Sequence, residues 1–309
     1  MLLYIVRRLG IILLISGCIV YFSFLGMDMM GPRQAADSSS RLSIIERLED
    51  AVPAAGKQSI DFFSGLLRGD LGNVPTVSGE RPVVEIARDA YQKSIGLILA
   101  ALGLASLIGF AAGILAALAR QKRREYFILV LSMIGISAPS FLIAVLLQQG
   151  GIKYTTTFGV QLVSMGGYGW DFKHLVMPLI VLTVRPLANI TSTTFTALSR
   201  IMDEDYMRTA FSKGLSRPAA VRVHALRNLG VSVLTSIGIS LRFSLSTLPL
   251  VEYIFAWPGM GLRILEAINN RIPLQVAALA FAIGLTIQLA FLLLDLLYRW
   301  IDPRMRQAV

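Results

Sequence analysis

The chain has 309 residues, 55% of them hydrophobic and 16% charged, with a mean hydropathy of +0.65 and a formal net charge of +10. This balance suits lipid and excludes a disordered chain or a secreted enzyme, and one cysteine cannot staple a disulfide scaffold. Cys18, inside an apolar run, reads as a small core residue.

Six stretches are long and apolar enough to cross roughly 30 Å of hydrocarbon. Residues 9–27 come first; Arg7 and Arg8 precede them as in a secretion signal, but no A-x-A-like site follows, so a retained anchor is expected. Residues 28–93 are too long and too rich in Pro and Gly for one helix. They hold an amphipathic stretch over 41–50, with Leu42, Ile45 and Leu48 at helical spacing, and a second over 60–67 ending at Arg68-Gly69. A cap packed on the bundle and direct substrate contact are both open for this segment.

The second and third spans fall at 94–119 and 126–147. Gly96, Gly103, Gly109 and Gly113 give the second a small-residue face for close helix approach, and Ala138-Pro139-Ser140 is expected to kink the third. The fourth and fifth, 175–199 and 229–251, carry Arg185 and Arg242. A buried arginine costs a few kcal/mol on insertion scales, so each is expected to face a passage, where it attracts a carboxylate, or to bond a neighbouring subunit. Pro178 and Pro186 bend the fourth span. The sixth covers 272–294, and none of the six windows contains a carboxylate.

Between the fourth and fifth spans, residues 200–230 form a polar segment. Asp203, Glu204 and Asp205 favour a helix start, Lys213 its last turn, and Gly214 a left-handed stop. Ser216 caps a second helix with Pro218 in its first turn, closing at Asn228 or Gly230. Tyr206, Phe211 and Leu215 are expected to be exposed among basic residues, as on a surface that docks into a protein groove. A solvated basic loop explains the charge but not the Gly break. A DNA-binding helix pair is excluded by tethering to the membrane at both ends.

With both termini on one face, residues 1–8, 120–125, 200–228 and 295–309 hold 15 Lys/Arg against 6 acids, whereas 28–93, 150–174 and 252–271 hold 12 against 13. The basic side is cytosolic, so the charge reflects topology and attraction to anionic lipid, not nucleic acid. The fold expected is all-α, a polytopic membrane protein with six transmembrane helices. Its parts are a tail and first span (1–27), an extracytoplasmic segment (28–93) and a five-span core (94–309).

The run Asp205-Tyr206-Met207-Arg208-Thr209-Ala210-Phe211-Ser212-Lys213-Gly214-Leu215-Ser216, followed by His224-Ala225-Leu226-Arg227-Asn228, resembles the EAA loop of ABC-importer permeases of the dipeptide/oligopeptide/nickel family. Four further runs resemble that family: Tyr4-Ile5-Val6-Arg7-Arg8-Leu9, Gly69-Asp70-Leu71-Gly72 with Arg81-Pro82-Val83, Val251-Glu252-Tyr253-Ile254-Phe255-Ala256-Trp257-Pro258-Gly259, and Asp295-Leu296-Leu297-Tyr298 with Asp302-Pro303-Arg304. Met29-Met30-Gly31-Pro32-Arg33-Gln34 departs from it, where relatives show a PGDP-like turn.

The resemblance implies a permease in a bacterial-type inner membrane, paired with a second homologous permease, two ATP-binding subunits and an extracytoplasmic substrate-binding protein. ATP and Mg would sit on the partners, with no cofactor in this chain. Asp205, Tyr206, Arg208, Thr209, Ala210, Lys213, Gly214, Leu215, Ser216, His224 and Arg227 would then couple the ATPase, and Trp257, Pro258 and Gly259 would form an external gate. Peptides or peptide-like solutes are the implied cargo.

The residues agree on one point: no GxxxxGK[ST] phosphate loop occurs. His174 and His224 have neither the spacing nor the neighbours of a zinc site or a serine triad, so no chemistry and no metal are expected. The competing reading, a secondary transporter or channel run by an ion gradient, calls for carboxylates in the spans.

Overall fold

The computed structural model describes residues 2–30, 44–76, 79–119 and 123–301. Met29-Met30 ends the first helical segment, and the Gly31–Gln34 part of that departure, the start of the 41–50 stretch and Asp302-Pro303-Arg304 lie outside the described residues. The chain forms α1 (Leu2–Met29), α2 (Ile44–Arg68), β1 (Asn73–Thr76), β2 (Gly79–Pro82), α3 (Val83–Leu118), α4 (Arg123–Ser137), α5 (Ser140–Phe158), α6 (Phe172–Met202), α7 (Asp205–Ser212), α8 (Arg217–Ala220), a π turn (Val221–Ala225), α9 (Leu226–Ile254), α10 (Met260–Asn269) and α11 (Pro273–Ile301). It groups into two compact units, residues 1–95 with 258–290 and residues 96–257 with 291–309.

In the first unit, the two amphipathic stretches of the sequence are one helix, α2, which continues through Pro53. The proline removes one backbone bond, at a cost of about 3 kcal/mol. Burial of Ala51, Ala55 and Phe62 on the inner face offsets this. Phe62 meets Phe24 of α1 at 6.3 Å and Phe281 of α11 at 5.7 Å, both edge to face, within a core shared with Val20, Val83 and Ala277. Gly69, at a φ of 74°, ends α2. The antiparallel hairpin β1–β2, in the register Asn73↔Pro82, leads directly into α3.

α3 begins at Val83, eleven residues before the window read from hydropathy, and at 36 residues is about 54 Å long. Extra turns carrying Glu85, Arg88, Asp89 and Lys93 therefore extend the apolar span.

In the second unit α6 and α9 form the most extensive helix pair. Asn189 of α6 donates to the Ser236 carbonyl and to the hydroxyls of Ser236 and Ser240, at 3.0–3.3 Å. Buried polar groups of this kind fix the register of a helix pair, since a slip leaves them unpaired. Three of the four expected α3 glycines are close-approach positions. A methyl at Gly113 would lie 2.5 Å from Thr194 Cβ, one at Gly109 2.9 Å from the Leu187 carbonyl oxygen, and one at Gly96 2.5 Å from the Trp170 ring. Gly103 faces open space.

The third expected span is not one kinked helix. α4 and α5 meet at a bend of 100°, because Pro139 has no N–H and keeps its predecessor out of the helical region. Among the described residues five helices are long and apolar enough to cross a membrane, or six if this bent pair counts as one. The second helix of the 200–230 loop does not close at Asn228 or Gly230 but runs through the π turn into α9. Burial of Ala225 and Leu229 compensates a mid-helix Gly230 that costs about 1 kcal/mol.

Candidate functional site

The 200–230 loop folds as a short helix, a left-handed turn and a second helix. α7 buries Met207 and Ala210 against Leu198, Ala220, Val221, Ala225 and Leu229. It ends in two nested hydrogen bonds, Leu215 N–H to the Ala210 carbonyl (3.2 Å) and Gly214 N–H to the Phe211 carbonyl (2.9 Å). Between them Gly214 takes a φ of 85°, as expected from the sequence. Phe211 and Leu215 fold back onto the same apolar cluster, so of the three expected docking residues only Tyr206 is exposed. Its hydroxyl accepts from Asn228 Nδ2 at 3.0 Å, which ties α7 to the start of α9. Ser216 stands at the N-cap of α8 without a side-chain capping bond.

The outer surface of this elbow carries Asp205, Arg208, Thr209, Lys213, Ser216 and His224, all exposed. Arg208 lies 3.6 Å from Asp205, a solvated pair of small energetic value. Thr209 and Ser212 donate back to the Asp205 and Arg208 carbonyls, each at 3.0 Å, and so stay on the helix surface. Arg227 lies in α9, its side chain outside the described residues. The elbow is thus a small body with an apolar inner face and a polar outer one of mixed charge.

The two span arginines lie over aromatic rings. Arg185 of α6 stands 4.2 Å from the centre of Phe243, and Arg242 of α9 stands 4.7 Å from that of Phe291. Such contacts attract a cation without neutralising it. The expectation that the spans hold no carboxylate does not survive: α9 extends to Ile254 and encloses Glu252, fully buried.

At the end of α9 the chain reverses. Ala256 adopts a φ of 48° and Trp257 is fully buried, its N–H donating to the Glu252 carbonyl at 2.8 Å. Tyr168 and Trp170, on the loop between α5 and α6, stack edge to face on Trp257 at 4.9 and 5.5 Å. Gly167 N–H donates to the Phe255 carbonyl at 2.8 Å. Gln148 of α5 donates to the Met165 and Ile254 carbonyls. Sequence reasoning named Trp257, Pro258 and Gly259 but missed Gln148, Tyr168, Trp170 and Glu252. The one available signal was an amide pair, Gln148-Gln149, at the edge of an apolar run. Asp171 caps α6 in the same loop, accepting from the His174 N–H at 2.9 Å and from its ring Nδ1 at 2.8 Å. These bonds, the backbone one first, hold its carboxyl below the usual range. Among the described residues no group of three or more His, Cys, Asp or Glu is placed to hold a metal.

Helices of membrane length joined by polar loops mark a multi-pass membrane protein. The chain belongs to the family described as binding-protein-dependent transport system inner membrane component, which matches residues 109–307. It is 31% identical to a probable peptide ABC transporter permease protein of Sinorhizobium fredii, with 98% of this chain and 99% of that protein covered. It is 30% identical to the dipeptide transport system permease protein DppB of Escherichia coli, with 99% of each covered. A glutathione transport system permease protein, GsiC, also of Escherichia coli, is 30% identical over 79% of this chain and 78% of its own length. The protein is accordingly the permease subunit of an ABC importer, working with an ATPase and a substrate-binding protein.

Proposed function

We propose that this subunit moves di- or oligopeptides inward by alternating access. The carrying observation is the elbow around Gly214, a small body fused to α9, joined to near-complete coverage of relatives whose names specify peptides. Two ATP-binding subunits, with ATP and Mg, close beneath this chain and a second homologous permease. Their closure pushes on Tyr206, Arg208, Thr209, Lys213, Ser216 and His224, with Asp205, Ala210, Gly214, Leu215 and Arg227 setting the shape of the lever. Because α8, the π turn and α9 are continuous, displacement of the elbow reaches the turn at Trp257 along one helix.

In this reading Trp257, Pro258 and Gly259 gate the external end, and both termini are cytosolic, with residues 28–93 on the opposite side. Arg185 and Arg242 line the passage and draw in carboxylates, since ring contacts leave their charge available. This reading keeps a functional division into the first span with its tail (1–27), the external segment (28–93) and the core (94–309), which differs from the grouping by contacts.

Glu252, fully buried within a membrane-length helix, gives the ion-gradient reading a footing. Proteoliposomes holding the assembled complex separate the two. Peptide uptake that needs ATP and binding protein and survives a protonophore supports the importer, and uptake abolished by the protonophore with ATP present defeats it. Scrambling 205–216 is expected to abolish uptake, and mass spectrometry of ligand retained by the binding protein identifies the cargo.

A further inference from the structure

A cleft of about 900 Å³ opens in the first unit, walled by the β1–β2 hairpin, the first turns of α3 and one face of α10. Its size lies within the range of small-molecule sites. Three elements bring charge into it: Arg81 from β2, Glu85 and Asp89 from α3, and Arg263 and Glu266 from α10. Glu85 and Asp89, four residues apart, share one helix face. Arg263 donates to Glu266 at 2.7 Å, and Asp89 accepts from Lys93 at 2.6 Å. Gln275 of α11 also lines the cleft, is only 7% exposed, and offers both a donor and an acceptor. Arg271, whose chain neighbours Asn270 and Ile272 line the cleft, keeps Nη1 buried with no partner among the described residues.

An apolar solute would strip water from five charged groups without replacement, and an ion of single sign would meet like charge on one wall. A solute with both charges on a short polar backbone finds opposite charge for each end and a buried amide in the same cleft. We propose that this cleft is a binding site for a zwitterionic peptide of two or three residues, its carboxylate toward Arg81 and Arg263 and its ammonium toward Glu85 and Asp89. The proposal rests on the peptide reading above and adds a site on the permease itself.

Calorimetric titration of the purified full-length chain with dialanine, dialanine amide and N-acetyl-dialanine tests it. Dialanine is expected to bind roughly tenfold or more tightly than either blocked form, each of which loses one charge-assisted contact. The pair Arg81→Gln with Arg263→Gln should bring dialanine down to the level of its amide. Glu85→Gln with Asp89→Asn should bring it down to the acetylated form. Equal binding of all three ligands to the unmodified chain, or no binding, overturns the proposal whatever the variants do. Peptide uptake by the assembled complex without that ligand ranking sinks the cleft alone. The ligand ranking without any peptide uptake leaves the cleft standing and sinks the peptide-importer reading.

Discussion

The Arg185 guanidinium carbon stands 4.2 Å over the centre of the Phe243 ring, joining α6 to α9 by a cation held on an aromatic face. A contact of this kind contributes about 0.5–2 kcal/mol, more where water is excluded. Phe243→Leu keeps the apolar bulk and removes the face, so it should lower the melting temperature in detergent by an amount worth about 1 kcal/mol. Arg185→Gln is expected to slow uptake of peptides with a free carboxylate roughly tenfold and to spare their amides, as loss of one charge-assisted contact predicts. Unchanged uptake of both classes takes Arg185 out of the passage.

Gly214 tests the lever by conformation alone. A side chain there meets nothing within 4 Å, but the φ of 85° is one that L residues avoid. Gly214→Ala should cost about 1 kcal/mol, Gly214→Asn less, and Gly214→Val most. Transport per ATP hydrolysed, measured in proteoliposomes, is expected to fall in the order Gly, Asn, Ala, Val. A valine variant with full coupling removes the left-handed turn from the mechanism.

The α3–α6 approach makes a prediction with a built-in control. Gly113→Ala forces a methyl to within 2.5 Å of Thr194 Cβ, a backbone-level clash that overpacks the seam by about 1–3 kcal/mol. Gly103→Ala meets open space and should be neutral or slightly stabilising. Thermal melts of the two variants should differ in that order; equal melts mean α3 and α6 are not closely apposed at Gly113.

Much of this arrangement was legible in the chain. Apolar runs, two of them carrying one arginine each, located the helices that α3, α6, α9 and α11 extend, and Gly214 with Lys213 before it marked the end of α7. Where reading failed, tertiary packing outweighed a local rule. Pro53 does not break α2, because Phe62 and its aromatic neighbours hold the helix from outside the sequence window. Pro139 does more than kink its span, because its lost N–H falls where α4 and α5 separate. Phe211 and Leu215 turn inward because Leu198 and Leu229, distant in sequence, supply the surface that buries them. The clamp of Gln148 on Ile254 spans 106 residues, and the amides at 148 and 149 do not tell locally which carbonyl is reached.

Asp171 sets a pH dependence on the loop over Trp257. Bonds from His174 lower its folded pKa, so its contribution is present above the ordinary value of 3.8 and is lost as pH falls through the lower folded value. Asp171→Asn retains a cap but not the charge. The stability difference between the parent chain and Asp171→Asn should therefore shrink as the pH falls below about 4, toward and below the ordinary carboxylate pKa. A difference that grows as the pH falls below about 4 reverses the assignment.

The last expectation concerns Gln148, whose Nε2 donates to the Met165 carbonyl at 2.9 Å and to that of Ile254 at 3.3 Å. One amide thus pins both the loop bearing Tyr168 and Trp170 and the helix end that turns into Trp257. Gln148→Met keeps the length of the side chain but leaves two carbonyls without this donor, at a cost of about 1–3 kcal/mol. That cost falls on the closed turn, so the closed state should loosen while the helices stay folded. In a Trp170→Phe, Trp300→Phe background, Trp257 fluorescence is expected to become more accessible to acrylamide in the Gln148→Met chain, and proteoliposomes should show peptide leak without ATP. Loss of Trp257 protection with no leak keeps Gln148 as a structural clamp and takes Trp257 out of the gate; no change in either removes the clamp.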